Sequence, residues 1–257
     1  MSEFTRARTR RHLLKLAAAG AASVPFVAWG ISSATANPGN DCDNKGTGPK
    51  CCFLKGTRLS TPMGELAVED LAIGDEVCTL DGIKTIKWIG YDRIEGGDAV
   101  DKDVRPIRIA RFAIDESTPY RDLYLSPGHC LFLNNVLIPA MYLVNETSIA
   151  QHLELQTIEY YHVEFDTHEV IFAEGACVES YRGSNRETFA NLAEFESIYG
   201  SKQQPGKTPY APIMEYRGGR DELKALARSL ISNVHDIRDP IQVAFDQIAE
   251  RARTLPI

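Results

Sequence analysis

Glu76-Val77-Cys78-Thr79-Leu80-Asp81-Gly82-Ile83-Lys84-Thr85-Ile86-Lys87-Trp88-Ile89 is the stretch that decides the fold. Apolar and polar residues alternate on both sides of Asp81-Gly82, a dipeptide that favours a tight hairpin turn, so two antiparallel strands are expected. The pattern repeats outward. Toward the N-terminus, Arg58-Leu59-Ser60-Thr61 and Glu65-Leu66-Ala67-Val68 flank the turn Pro62-Met63-Gly64, and Gly74-Asp75 supplies the next break. Toward the C-terminus come Pro106-Ile107-Arg108-Ile109, Leu123-Tyr124-Leu125, Cys130-Leu131-Phe132-Leu133, Val136-Leu137-Ile138 and Tyr161-His162-Val163-Glu164-Phe165. No helical period here outlasts Val68 to Leu71. Many short strands between regular turns predict an all-β domain over residues 52–181. A weak internal echo joins the region after Thr57 to the region after Cys130: strand, tight turn (Asn134-Asn135 in the second), then an apolar run. Two related β-units facing each other would read this way.

The chain has 257 residues, 44% of them hydrophobic, enough for one large or two small folded units, which excludes a disordered protein. Net charge is −7; residues 1–36 hold five basic residues (Arg6, Arg8, Arg10, Arg11, Lys15) against Glu3, so the remainder carries −11. That balance argues against nucleic acid or an anionic membrane as partner.

In residues 1–36, Thr9-Arg10-Arg11-His12-Leu13-Leu14-Lys15 precedes an uncharged run from Leu16 to Ile31, and Ala34-Thr35-Ala36 has the small-x-small form of a cleavage site. The run has 16 residues, interrupted by Gly20, Pro25 and Gly30, too short for a spanning helix. The segment resembles a twin-arginine signal peptide, with Leu13 where an aromatic is usual. The resemblance implies a passenger folded before export by the twin-arginine machinery to the periplasm or beyond. Residues 37–51 are rich in Gly, Asn, Asp and Pro and read as a flexible linker. In an oxidising compartment Cys42 and Cys51 could close a small loop, but six cysteines allow fifteen complete pairings. No C-x-x-C or H-x-x-x-H spacing points to metal, so neither metal nor cofactor is expected.

Residues 182–257 read as a helical C-terminal region. Phe189, Leu192, Phe195 and Ile198 recur at threes within Glu187–Tyr199, and Gly200 stops the run. Gln203–Pro212 is a Pro/Gly linker; Asp221–Val234 and Ile241–Leu255 are amphipathic, the latter following Pro240. These helices are expected to pack on each other or on the β domain, with docking of a protein partner as the other reading.

Cys52, first residue of the β domain, has its own amide directly ahead of its sulfur. Attack on the Cys51–Cys52 peptide bond would move the acyl group from nitrogen to sulfur as a thioester. Against this stands a small buried hydrophobe.

The residues decide between these by resemblance. Cys52 with Gly56-Thr57, Thr61, Gly64, Val68-Glu69, Leu71 and Gly74-Asp75-x-Val77, then Leu125-Ser126-Pro127-Gly128-His129, then Tyr161–Phe165 and His168–Gly175, are similar in order and type to the blocks of Hedgehog/intein (Hint) autoprocessing domains, bacterial Hint-like branch. The resemblance covers about half the chain. It implies a horseshoe-like, pseudo-twofold all-β fold, with Cys52 as nucleophile and His129 as the imidazole that protonates the departing amine. Ser126, where Thr is usual, would donate to the same peptide or polarise its carbonyl. His129 as a satisfied core histidine is the alternative.

His162 falls where many inteins carry an aspartate, and His168 matches the family position. Six apart, the two would share one face of an uninterrupted strand, as a hydrogen-bonded acid/base pair rather than a zinc pair. Inteins end in His-Asn; here Glu179-Ser180 stand there and cannot form a succinimide. Chemistry is therefore expected to stop at cleavage before Cys52, the substrate being the chain's own N-terminal segment and the acyl acceptor water or a small nucleophile. A catalytically inactive exported module with the same fold is the alternative.

Overall fold

The computed structural model describes residues 51–95, 100–152, 155–183, 185–201, 206–214 and 239–255. The segment expected to be a twin-arginine signal, most of the expected linker with Cys42, and the stretch Asp221–Val234 expected to be an amphipathic helix lie outside the described residues.

Fourteen strands appear among them: β1 (Phe53–Leu54), β2 (Arg58–Thr61), β3 (Gly64–Ala67), β4 (Glu76–Thr79), β5 (Gly82–Thr85), β6 (Trp88–Glu95), β7 (Ile107–Ile109), β8 (Leu123–Leu125), β9 (Cys130–Leu133), β10 (Val136–Pro139), β11 (Ile149–Gln151), β12 (Thr157–Glu164), β13 (Val170–Ala173) and β14 (Ala176–Glu179). One sheet runs β11-β7-β8-β1-β12-β6; the other runs β10-β9-β14-β13-β2-β3, with β4 also on β13 and β5 on β4. Two α-helices follow among the described residues, α1 (Leu192–Tyr199) and α2 (Pro240–Ala252). The expected all-β domain followed by helix is present, and its strands form two sheets.

The internal echo is visible in the second sheet. Hairpin β2–β3 ends in a 3-10 turn at Val68–Asp70 and hairpin β9–β10 ends in one at Ala140–Leu143. The two hairpins lie at opposite ends of the strand order, with hairpin β13–β14 between them.

The opening hairpin turns one residue earlier than the dipeptide suggested. Thr79 pairs with Gly82, so Leu80-Asp81 is the loop and Gly82 begins β5 at φ 102°. The β2–β3 hairpin repeats the device, with Thr61 paired to Gly64 at φ 114°. In each the threonine hydroxyl donates to the glycine carbonyl, at 2.6 Å for Thr61 and 2.8 Å for Thr79. A two-residue turn closed by a positive-φ glycine gives the strands the extra twist they need.

The helix expected from Glu187 begins later. Arg186–Thr188 form a 3-10 turn, and Ala190 and Asn191 instead bind the edge of β6. The Ala190 N–H donates to the Tyr91 carbonyl (2.9 Å), the Tyr91 N–H to Asn191 Oδ1 (2.8 Å), and Asn191 Nδ2 to the Ile89 carbonyl (2.9 Å). Satisfying an open strand edge outweighs continuing a helix, and α1 starts only at Leu192. Gly200 ends it at φ 81°, as expected.

Two apolar clusters result. The larger spans both sheets and includes Phe53, Leu59, Val77, Ile107, Leu131 and Ile171, with Ala244 and Ile248 of α2 against it. The smaller joins Cys52, Trp88, Tyr160, Tyr181, Phe189 and Phe195, so the chain beyond 181 completes the core around Cys52. Trp88 sits at its centre, edge-on to Phe189 (5.5 Å) and Phe195 (5.3 Å). Among the described residues no helix is long and apolar enough to cross a membrane.

Candidate functional site

The short strand β1 lies between β8 and β12, with Phe53 paired to Leu125 on one side and Tyr161 on the other. That register brings Cys52, one residue before β1, against Ser126, one residue after β8. The Ser126 N–H donates to the Cys52 carbonyl at 2.9 Å. The Cys52 N–H, the amide nitrogen of the Cys51–Cys52 bond, donates to Ser126 Oγ at 2.6 Å. Ser126 therefore accepts from this peptide, where the sequence reading had it donating. A hydroxyl can do either, and the amide's hydrogen decides. Cys52, Ser126 and His129 are fully buried.

The turn Ser126-Pro127-Gly128-His129 delivers His129 to the same place. The His129 N–H donates to the Ser126 carbonyl (3.0 Å), and the Met141 N–H to the Pro127 carbonyl (3.0 Å). The His129 ring lies 4.4 Å from Phe53 and stacks on His162 at 4.9 Å. Its Nε2 is 3.0 Å from the Glu179 carbonyl oxygen. A carbonyl only accepts, so Nε2 carries the hydrogen, and in the neutral ring Nδ1 keeps a lone pair. Among the described residues no group meets hydrogen-bond geometry at Nδ1, although the Cys52 backbone is close enough to the ring to favour its protonated form. Burial pushes the His129 imidazole below its ordinary pKa, opposed by the Glu179 carboxylate and by the backbone of Glu179 and Cys52.

His162, on β12 opposite Gly90, adds a second buried ring, 5.1 Å from Tyr181. Neither of its nitrogens has a hydrogen-bond partner among the described residues. Burial, then the neighbouring His129, push its pKa well below the usual value, so it is neutral.

His168 is not on that strand. β12 ends at Glu164, and Phe165–Glu169 turn the chain before β13 begins, so the expected shared strand face and His162–His168 hydrogen bond are absent. Asp166 and Thr167 break the alternation because the chain must reverse there to make the β13–β14 hairpin. His168 instead accepts from the Tyr210 N–H at Nδ1 (2.8 Å) and turns Nε2 toward Glu179 Oε2 (3.4 Å).

Glu179 is the residue that the sequence reading counted only as a missing histidine. It is fully buried, with Oε1 accepting from the Cys130 N–H at 2.8 Å and Oε2 at 3.4 Å from Arg182 Nε. Burial alone would raise its carboxyl pKa; His168 and Arg182 overcome that and hold it well below the usual carboxylate range. The available signal was an acid closing the apolar run Ala176-Cys177-Val178, which requires a partner once β14 is an inner strand. Behind it, Glu164 at the end of β12 is held by Arg186 (2.6 and 2.9 Å) and Lys207 (2.7 Å).

Cys51 is disulfide-bonded, and its sulfur lies 3.2 Å from the Gly128 carbonyl oxygen. Cys52, Cys78, Cys130 and Cys177 are reduced thiols. Among the described residues no cluster of His, Cys, Asp and Glu has an arrangement that could hold a metal ion.

The Hint domain family model matches residues 51–185. The bacterial intein-like domain of Clostridium thermocellum is similar at 12% identity and TM-score 0.39, over 51% of this chain and 98% of its own. The gp41-1 intein is similar at 15% identity and TM-score 0.36, over 49% of this chain and 97% of its own. The DnaB intein of Synechocystis sp. PCC 6803 is similar at 9% identity and TM-score 0.36, over 50% of this chain and 97% of its own. No curated protein matches. The family match takes in more than half of the chain, with Cys52, Ser126, His129, His162, His168 and Glu179 inside it, and the chain belongs to the Hint domain family.

Proposed function

We propose that this Hint domain cleaves its own chain before Cys52 through a thioester, without complete splicing. One observation carries the reading: the amide nitrogen ahead of Cys52 is held by Ser126 Oγ at 2.6 Å, in a fully buried site that also contains the His129 ring. In the proposed sequence, His129 Nδ1 takes the Cys52 thiol proton and the thiolate attacks the Cys51 carbonyl carbon. The C–N bond breaks, and the same proton passes to the departing Cys52 nitrogen. Water then takes the acyl group, leaving a carboxyl at Cys51 and restoring the thiol. Glu179-Ser180 offer no asparagine for a second cut.

Export by the twin-arginine route is part of this reading, supported by the Arg10-Arg11 motif and by the Cys51 disulfide, a bond that persists in oxidising compartments. A domain that folds before export must delay cleavage, or it would lose its own signal.

The second reading is an inactive exported module, favoured by the complete burial of Cys52 among Trp88, Tyr160 and Tyr181. Intact mass of the purified chain, with and without hydroxylamine or dithiothreitol and beside Cys52→Ala, separates them. Thiol-dependent loss of the segment ahead of Cys52, absent in Cys52→Ala, supports cleavage. An unchanged mass under every condition supports the inactive module.

A further inference from the structure

The strongest buried group that the proposed chemistry leaves unused is Glu179. It grips the His129 turn twice: its main-chain carbonyl lies 3.0 Å from His129 Nε2, and its carboxylate accepts from the next residue's N–H, that of Cys130, at 2.8 Å. We infer that Glu179 is a positioning residue for His129, its carbonyl fixing which nitrogen carries the hydrogen and its buried carboxylate supplying the negative field in which the ring takes a proton. This rests on the autoprocessing reading for its purpose, though not for its test.

The physical need is plain. A proton shuttle must hold its proton for part of the cycle, and a fully buried imidazolium is costly unless an opposite charge is near. Among the described residues, the other side chains around His129 bring no fixed negative charge. Phe53 and neutral His162 cover the ring. His168 brings no negative charge: it accepts at Nδ1 from the Tyr210 N–H and faces the same carboxylate. Arg182 is the permanent cation that competes for Glu179. Glu179 thus sits between two demands, and its charge is shared among His129, His168 and Arg182.

The chemistry of the site also explains why a carboxylate serves here where the family pattern has a histidine. With no asparagine to cyclise after it, the position has no second cut to assist, and a fixed anion is compatible with the first.

The test uses the Cys52→Ala chain, which cannot make the thioester, labelled with [15N]histidine, with His129→Asn identifying the resonance. The expected spectrum shows the Nε2–H form of neutral His129. Glu179→Gln keeps an acceptor for the Cys130 N–H but removes the charge, and lowers the His129 titration midpoint by about one pH unit or more. A midpoint that moves by less than ~0.3 unit overturns the inference, as does a ring that stays neutral throughout in the chain with Glu179 intact. Arg182→Gln is the second variant, should Glu179→Gln not fold: freeing the carboxylate raises the midpoint, and a fall or no change overturns the inference. In the cleaving protein, Glu179→Gln moves the low-pH limb of the thiol-induced cleavage rate, where His129 must be neutral to take the thiol proton, to lower pH. If the unmodified chain never cleaves while the midpoint moves as stated, the autoprocessing reading fails and the role of Glu179 stands.

Discussion

Replacing Glu164 by Gln tests how far the chain beyond the β domain is part of the site's support. Glu164 is fully buried and takes Arg186 in a two-pronged contact, with Lys207 on Oε1. Both cations are themselves largely buried, at 7% and 12% side-chain exposure. Exposed pairs of this kind contribute about 0–1 kcal/mol, but removing the shared anion from a buried group strands two positive charges, at a cost of about 3–5 kcal/mol. Gln still accepts one hydrogen bond, so the lower end, ~3 kcal/mol, is expected, or a fall in Tm of about 6–12 °C for a chain of this size.

The pH dependence supplies a second readout. Burial lowers the pKa of Lys207 from 10.5, with Glu164 opposing the shift. The folded chain therefore binds fewer protons here than the unfolded chain, and stability from this group rises with pH toward 10.5. Losing Glu164 lowers the Lys207 pKa further, so the rise in the variant begins at lower pH and the deficit narrows in alkali. Urea unfolding from pH 6 to 10 measures both. A loss under ~1 kcal/mol, or a deficit independent of pH, refutes the reasoning. Because Arg186 packs over Phe195 (4.4 Å), which shares a cluster with Cys52, the same variant is expected to expose the Cys52 thiol to alkylating reagents faster.

Two further outcomes follow from packing and titration. A Cβ at Gly90 would meet the Phe189 ring at 2.8 Å, so Gly90→Ala is expected to lose about 1–3 kcal/mol in urea unfolding, with most of it recovered by adding Phe189→Leu. The folded-state pKa of His162 lies well below 6.5, so below about pH 6.5 the unfolded chain takes up a proton that the folded chain refuses, and stability is lost as pH falls. His162→Phe is expected to flatten this loss by up to about 1.4 kcal/mol per pH unit; parallel stability curves from pH 7 to 5 would remove the assignment.

Alternation and turn chemistry carried most of the fold. Thr79 to Trp88 and Arg58 to Leu66 read as hairpins because polar and apolar residues change face at every step and a glycine follows each turn. Where the reading slipped, a competing partner was responsible. Asn191 left the helix for the edge of β6, and Asp166-Thr167 reversed the chain between His162 and His168.

The order of motifs along the chain was enough to single out Cys52, Ser126 and His129 as one site, because each ends or begins a legible strand. Only the folded chain decided what each does to the next. The Cys52–Ser126 contact spans 74 residues and the His129–Glu179 contact 50. Such pairs follow from which strands lie side by side, a choice that hydrophobic periodicity does not encode. The same holds for Glu179 and Glu164. An acid at the end of a strand reads as a solvated charge until the sheet order buries it and supplies its cations.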